Sequence, residues 1–211
     1  MIAIVDYGVG NLRSAQKGLE RAAAEEGLDF EVRVTPDRSD IEGAQGVVLP
    51  GVGAFAHCMG SLADAKLTEA VVDAARSGRP FLGICVGMQI LFEESEEFGR
   101  VSGLGILPGR VVKFASGGVK IPHMGWNGLR KKGSNPMLDG IDDGTHYYFV
   151  HSYYAKPADD SLLAATANYG DEEFAAAVGR ERVFATQFHP EKSQEVGIRL
   201  LRNFVRQVGA P

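Results

Sequence analysis

Two hydrophobic periods alternate along the amino-terminal part of the chain. Ile2 to Val5 is an apolar run of strand length, after which Leu12, Ala15, Leu19, Ala22 and Ala23 recur on one face of a helix that Gly27 closes. Between them Asp6-Tyr7-Gly8-Val9-Gly10 reads as a glycine-rich turn, with Asn11 placed to cap the helix. Phe30 to Val34 and Gly46 to Leu49 read as the next two strands, the latter ending at Pro50-Gly51-Val52-Gly53. Thr68 is placed to cap a helix running through Val71, Val72 and Ala75 to Gly78. Pro80 then opens a strand that ends at Cys85, followed by an amphipathic helical segment from Met88 to Phe92. Such alternation predicts an α/β fold, with a mainly parallel sheet, helices on both faces and functional groups at the carboxyl ends of the strands.

Beyond Gly99 the rhythm changes to glycine- and proline-punctuated strand-like runs: Arg110 to Phe114, Tyr147 to Tyr154, Leu162 to Ala167 and Arg182 to Phe188. These predict antiparallel additions to the sheet. Phe174 to Val178 and Val183 to Gln187, joined through Gly179-Arg180, read as a hairpin that brings Phe188-His189-Pro190-Glu191 to the active end. Leu200, Leu201, Phe204 and Val208 give a closing helix its apolar face. No repeat or linker divides the chain, so residues 1–211 are expected to form a single domain.

Composition narrows the function. The chain is 45% hydrophobic, enough for one buried core, and its net charge of -5 without a long basic run disfavours a nucleic-acid partner. Met1 to Val5 meets Asp6 at once and no run approaches membrane-spanning length, which leads to the expectation of a soluble cytoplasmic protein. Its only cysteines, Cys58 and Cys85, do not suggest a disulfide framework and suit a reducing compartment. Gly8-x-Gly10 is no dinucleotide fingerprint, because Arg13 stands where the third glycine belongs. No Lys-Ser/Thr pair follows Gly51-Val52-Gly53, which excludes a Walker-type phosphate loop and leaves a backbone able to turn an N–H toward an anion.

The candidate chemistry centres on Gly83-Ile84-Cys85-Val86-Gly87. A thiol between glycines at a strand-to-helix turn matches the physics of a nucleophile elbow, and a helix starting just after Cys85 would favour thiolate. A buried cysteine packed as a small apolar side chain would fit the same five residues. Gln187-Phe188-His189-Pro190-Glu191 tips the balance. In an extended segment residues two apart share a side, so His189 can take the thiol proton while Glu191 orients the imidazole. The backbone N–H of Val86 is one expected oxyanion donor, and Val52 or Gly53 the other.

Together these two motifs resemble the class I glutamine amidotransferases, whose triad is Cys-His-Glu. Asp6 to Asn11, Pro50 to Phe55, Pro122 to Asn127 and Tyr148 to Tyr153 are similar, within that family, to the glutaminase subunits of imidazole glycerol phosphate synthase. The resemblance spans nearly the whole chain. It implies a flavodoxin-like fold, no metal and no cofactor, and hydrolysis of L-glutamine to glutamate and ammonia through a γ-glutamyl thioester on Cys85. It also implies that Gly51, Gln89, Glu97, Ser152 and Tyr153 bind glutamine. From the residues alone Glu97 is one acid in a solvated helical run, Glu93 to Glu97, and Ser152 and Tyr153 are strand residues. The implied partner is a cyclase subunit with a (β/α)8 barrel, met at or near Asn11, Trp126, Tyr148 and Lys192 in a heterodimer serving histidine biosynthesis. Two alternatives stand beside it: a glutaminase serving another synthase, and a non-catalytic docking subunit.

Overall fold

The computed structural model describes residues 1–115 and 118–210. The amino-terminal half runs β1 (Ile2–Val5), α1 (Leu12–Glu25), β2 (Val32–Thr35), α2 (Arg38–Gly43), β3 (Gly46–Gly51), α3 (Phe55–Asp64), α4 (Thr68–Arg76), β4 (Phe81–Cys85) and α5 (Val86–Gln89). Then come β5 (Glu94–Ser95), β6 (Val101–Ser102), β7 (Gly109–Lys113), β8 (His123–Gly128), β9 (Arg130–Lys131), β10 (His146–His151), β11 (Tyr153–Pro157), β12 (Leu163–Tyr169), β13 (Glu172–Arg180), β14 (Val183–Thr186) and α6 (Gln194–Gly209).

The main sheet has eight strands in the order β2-β1-β3-β4-β14-β13-β12-β9. The five from β2 to β14 are parallel, and β13, β12 and β9 add in antiparallel fashion. The first strands follow the flavodoxin-like order, with the fifth place taken by a strand from the far end of the chain. Every residue of β1, β3, β4 and β14 is buried, as a parallel sheet covered on both faces requires. Helices α1 and α6 pack on each other so closely that a Cβ on Gly18 would lie 2.8 Å from Leu201 Cδ1. Leu200, Leu201, Phe204 and Val208 are all buried in α6, each stabilising the fold by about 1.5–3 kcal/mol.

Several local expectations shift. Asn11 precedes α1 but its side chain makes no capping bond, and Thr68 is the first helical residue of α4 rather than its cap. The hairpin turns at Glu181-Arg182, since Gly179 and Arg180 still pair with Phe184 and Val183; Glu181 takes the left-handed φ of 54° that closes so short a loop. Tyr147 to Tyr154 is two strands broken at Ser152, with β10 pairing β8 and β11 pairing β7. The acids from Glu93 to Glu97 lie on β5 and its flanking turns, not on a helix. Helix α5 is a single turn, so a long helix dipole behind Cys85 is absent and only local N–H groups remain there. Helices α2 and α3 lack a strong apolar period and were not anticipated from the sequence.

Candidate active site

Strand order builds the site. Cys85 ends β4, which lies between β3 and β14. On one side Gly51 pairs with Cys85, so Val52 and Gly53 leave the sheet beside the thiol; on the other Thr186 pairs with Ile84, so Gln187-Phe188-His189 leaves beside it too. Cys85 itself has φ 57° and ψ -114°, a conformation rarely held by a residue with a side chain and the mark of a nucleophile elbow. The turn is tight enough that a Cβ on Gly87 would sit 1.9 Å from the Leu49 carbonyl oxygen, and one on Gly51 would sit 2.5 Å from the Gly87 nitrogen. The Tyr7 hydroxyl donates to the Pro50 carbonyl at 2.7 Å and fixes the end of β3.

His189 is buried and donates through Nδ1 to Glu191 Oε1 at 2.8 Å, with both side chains 2% exposed. The two meet through an extended His189 followed by a short 3-10 turn, Pro190–Lys192, and not along a continuous strand. The His189 backbone N–H donates to the Tyr148 carbonyl at 2.9 Å, while Ser193 Oγ donates to the His189 carbonyl and accepts from Tyr148 N–H. Among the described residues His189 Nε2 is buried without a hydrogen-bond partner, the state of a nitrogen free for a proton in transit. Burial opposes protonation of His189, yet its interactions with Cys85 and then Glu191 outweigh burial and carry its pKa up to about 10. His189 thus favours its protonated form, with Glu191 behind it and Cys85 in front.

A cavity of about 570 Å³ opens over the thiol. It is lined by Cys85, His189, Val52, Gly53, Val86, Gln89, Glu97, Ser152 and Tyr153, nine residues singled out from the sequence, together with Asn11 and Lys192. Glu191 stands behind His189, and Gly51 lies beneath the elbow as a spacer. Trp126 and Tyr148 sit off the cavity as cross-strand partners on the β8–β10 ribbon, their rings 6.3 Å apart, and Trp126 is 47% exposed beside Met124 at 62%. Cys58, the other thiol, is buried under the glycine loop, donates to the Val52 carbonyl at 3.4 Å and is pushed up to about 11 by burial.

Gly10, Pro122, Val150 and His151 also line the cavity; they belong to segments that carry the family resemblance but were not singled out as site residues. Nor was Gln187, which opens the His189 motif yet carries no obvious chemistry by residue type; its place one residue past a strand paired with β4 was the available signal. Among the described residues no group of three or more His, Cys, Asp and Glu side chains converges as a metal site, and no helix is long and apolar enough to cross a membrane.

Residues 4–208 match the family described as glutamine amidotransferase class-I. The imidazole glycerol phosphate synthase subunit HisH of Syntrophotalea carbinolica is 53% identical over 210 residues, covering 97% of this chain and 98% of that one. The subunit of the same name from Geobacter sulfurreducens is 50% identical over 209 residues, covering 96% and 97%. Among solved structures, one described as a glutamine amidotransferase superposes with a TM-score of 0.74 at 20% identity, over 99% of each chain. A glutamine amidotransferase from Thermotoga maritima gives 0.68 at 17% identity, over 99% of this chain and 97% of that one. At those identities the two structures speak to the fold alone.

Proposed function

The chain belongs to the class I glutamine amidotransferase family, and from that premise we propose that it hydrolyses L-glutamine on a Cys85-His189-Glu191 triad and passes the ammonia to a cyclase subunit of imidazole glycerol phosphate synthase. The observation that carries the residue assignment is the buried His189, bonded to Glu191 on one nitrogen and open on the other, beside a cysteine held at an elbow.

In this reading the Cys85 thiolate attacks the carboxamide carbon of glutamine, and the carbon–oxygen π electrons move to oxygen. Backbone N–H groups receive that oxyanion: Val86, directly after the nucleophile, and Val52 or Gly53 from the adjacent loop. The His189 imidazolium gives its Nε2 proton to the departing nitrogen, and ammonia leaves as the thioester forms. Water then attacks the thioester with neutral His189 as base, and glutamate and the thiolate are regenerated. Glu191 keeps Nδ1 protonated throughout, so Nε2 remains the working nitrogen. Gln89, Glu97, Ser152 and Tyr153, which line the cavity, hold the amino-acid end, whereas Gly51, expected to join them, lies beneath the elbow and only leaves room for the turn. Both hydrogens of the Gln89 amide are engaged by protein carbonyl oxygens, which leaves its Oε1 as the group it offers glutamine.

Ammonia released to water would be protonated, so the chemistry favours direct transfer. The cyclase partner, a (β/α)8 barrel that uses ammonia to form imidazole glycerol phosphate and AICAR, meets the face bearing Trp126 and Tyr148, with Asn11 and Lys192 at the cavity between. The Gly51-Val52-Gly53 peptide completes the oxyanion hole when that partner is engaged, which makes the isolated chain a slow glutaminase. No cofactor is required, and a reducing cytoplasm suits the thiol. The test is Cys85→Ala in the complex: glutamine-driven cyclisation is lost while ammonia-driven cyclisation persists, and loss of both would overturn the assignment.

A further inference from the structure

Gln187 is fully buried, and its Nε2 lies 3.8 Å from Cys85 Sγ, a long approach for an oxygen acceptor but within reach of the larger sulfur. The direction of that contact is dictated from elsewhere. The backbone carbonyl of Tyr153 can only accept hydrogen bonds, and it lies 2.9 Å from Gln89 Nε2 and 2.9 Å from His151 Nδ1. Each of these nitrogens must therefore present a hydrogen to it. Gln89 spends its second amide hydrogen on Gln187 Oε1 at 2.9 Å. With its oxygen so engaged, Gln187 has only its NH2 group left to face the sulfur.

The same carbonyl orders the other arm. With His151 Nδ1 donating, its Nε2 accepts from His123 Nδ1 at 3.0 Å, and His123 Nε2 accepts from Asn127 Nδ2 at 3.3 Å. The remaining Asn127 hydrogen goes to the Asn168 carbonyl at 2.8 Å. Reversing the Gln89 amide would set its oxygen against the Tyr153 carbonyl, and reversing that of Gln187 would set its NH2 against the Gln89 NH2. Two arms thus meet at the Tyr153 carbonyl, which accepts from both: one comes from the ribbon bearing Trp126, and the other runs outward from Gln89 through Gln187 to the thiol.

We propose that Gln187 is a further catalytic residue of this site, whose amide N–H, aimed by Gln89 and the Tyr153 carbonyl, stabilises the thiolate form of Cys85. The proposal rests on the glutaminase reading. When the thiol proton passes to His189 Nε2, the sulfur gains a full negative charge, and an N–H dipole already pointing at it strengthens without reorganising. The titratable groups around the sulfur are His189 with Glu191 behind it, Tyr7 from the turn after β1 and Cys58 from α3, with Glu97 lining the same cavity. Burial keeps the Tyr7 phenol and the Cys58 thiol protonated. Lys192 lines that cavity as well, and His189 is the cation that interacts directly with the sulfur, while Gln187 adds a neutral donor two residues before it on the same segment after β14.

The experiment is the pH midpoint of Cys85 alkylation by iodoacetamide, read by peptide mass in the complex with the cyclase subunit. Gln187→Met keeps length and burial without the amide; its midpoint is expected about half to one pH unit higher, with kcat for glutamine about tenfold lower and KM within about threefold. Gln187→Glu keeps an oxygen for Gln89 but turns another toward sulfur, and should move the midpoint further up. A folded Gln187→Met complex with the wild-type midpoint overturns the proposal, because a merely structural glutamine would not set the thiol's titration. Should neither variant fold, the wild-type complex still decides: the Gln187 side-chain amide resonance should titrate with the alkylation midpoint, and a flat signal overturns the idea. Alkylation requires no turnover, so this result is separable from the glutaminase reading, which fails if the wild-type complex yields no glutamate.

Discussion

Glu97 Oε2 accepts a 2.7 Å hydrogen bond from the backbone N–H of Phe55, the first residue of α3, while the same side chain lines the cavity over Cys85. Helix α3 follows Ala54, which has no side-chain oxygen to cap it, so an acid from forty-two residues away serves that end. The proposed role in glutamine binding and the capping bond are separable. Glu97→Gln retains an acceptor for Phe55 but not the charge that would hold an ammonium, and should raise KM about tenfold or more with little loss of stability. Glu97→Ala should in addition cost about 1–2 kcal/mol in chemical denaturation, because the Phe55 N–H loses its partner.

The His189–Glu191 pair makes stability and activity depend on pH in a defined sense. The folded pKa of His189 is raised to about 10, so the stability it contributes is fully present below its ordinary value near 6.5 and is lost as pH rises through that window. Denaturation followed from neutral to alkaline pH should show this decline, and Cys85→Ala should flatten it by removing one partner. Glu191→Gln should lower glutamine kcat/KM about a hundredfold or more by releasing the imidazole tautomer, with Cys85 still alkylated in the folded complex. Near-normal turnover by that variant would remove Glu191 from the triad.

The buried histidines on the ribbon respond in the opposite direction. Burial pushes His151 down to about 3 and His123 down to about 4, so both are neutral in the folded state and take up protons on unfolding between those values and about 6.5. Stability should therefore fall as pH drops below about 6.5, one such histidine contributing a slope approaching about 1.4 kcal/mol per pH unit. Replacing His151 with Gln should flatten the acid limb, and an unchanged limb would reject the assignment.

Gly87 tests the elbow. Its substitution by Ala places a methyl group 1.9 Å from the Leu49 carbonyl oxygen, a contact relieved only by separating β3 from α5. Gly87→Ala should destabilise the fold by about 3 kcal/mol or more in urea and slow alkylation of Cys85. A variant of wild-type stability would mean that the turn is looser than its backbone indicates.

Trp126 and Met124 are two of the three large apolar side chains left exposed among the described residues. Trp126→Ala should weaken binding of the cyclase subunit by about 2 kcal/mol in calorimetry while leaving the melting temperature of the isolated chain nearly unchanged. Unchanged affinity would move the interface to another face.

Legibility followed the range of the interaction. The parallel layering and the closing helix were readable because Ile2 to Val5, Leu12 to Ala23 and Leu200 to Val208 carry their periods locally. Helix α3 was not, because Cys58 and Leu62 give a weak stripe and its capping acid belongs to another segment. The hairpin was expected and found, but its turn was misplaced, since strand pairing extends through Arg180 until Glu181 adopts positive φ.

By itself the sequence determined the chemistry on offer: a cysteine between glycines, a His-Pro-Glu segment and a glycine loop, each defined by residue type within a few positions. Only the tertiary structure decided that β4 lies between β3 and β14, which brings those segments to one thiol. It also decided that Gln89 meets Gln187, ninety-eight residues away, and turns that amide toward Cys85. Periodicity is a local property of a chain, whereas strand order and register follow from how all the buried faces are satisfied at once.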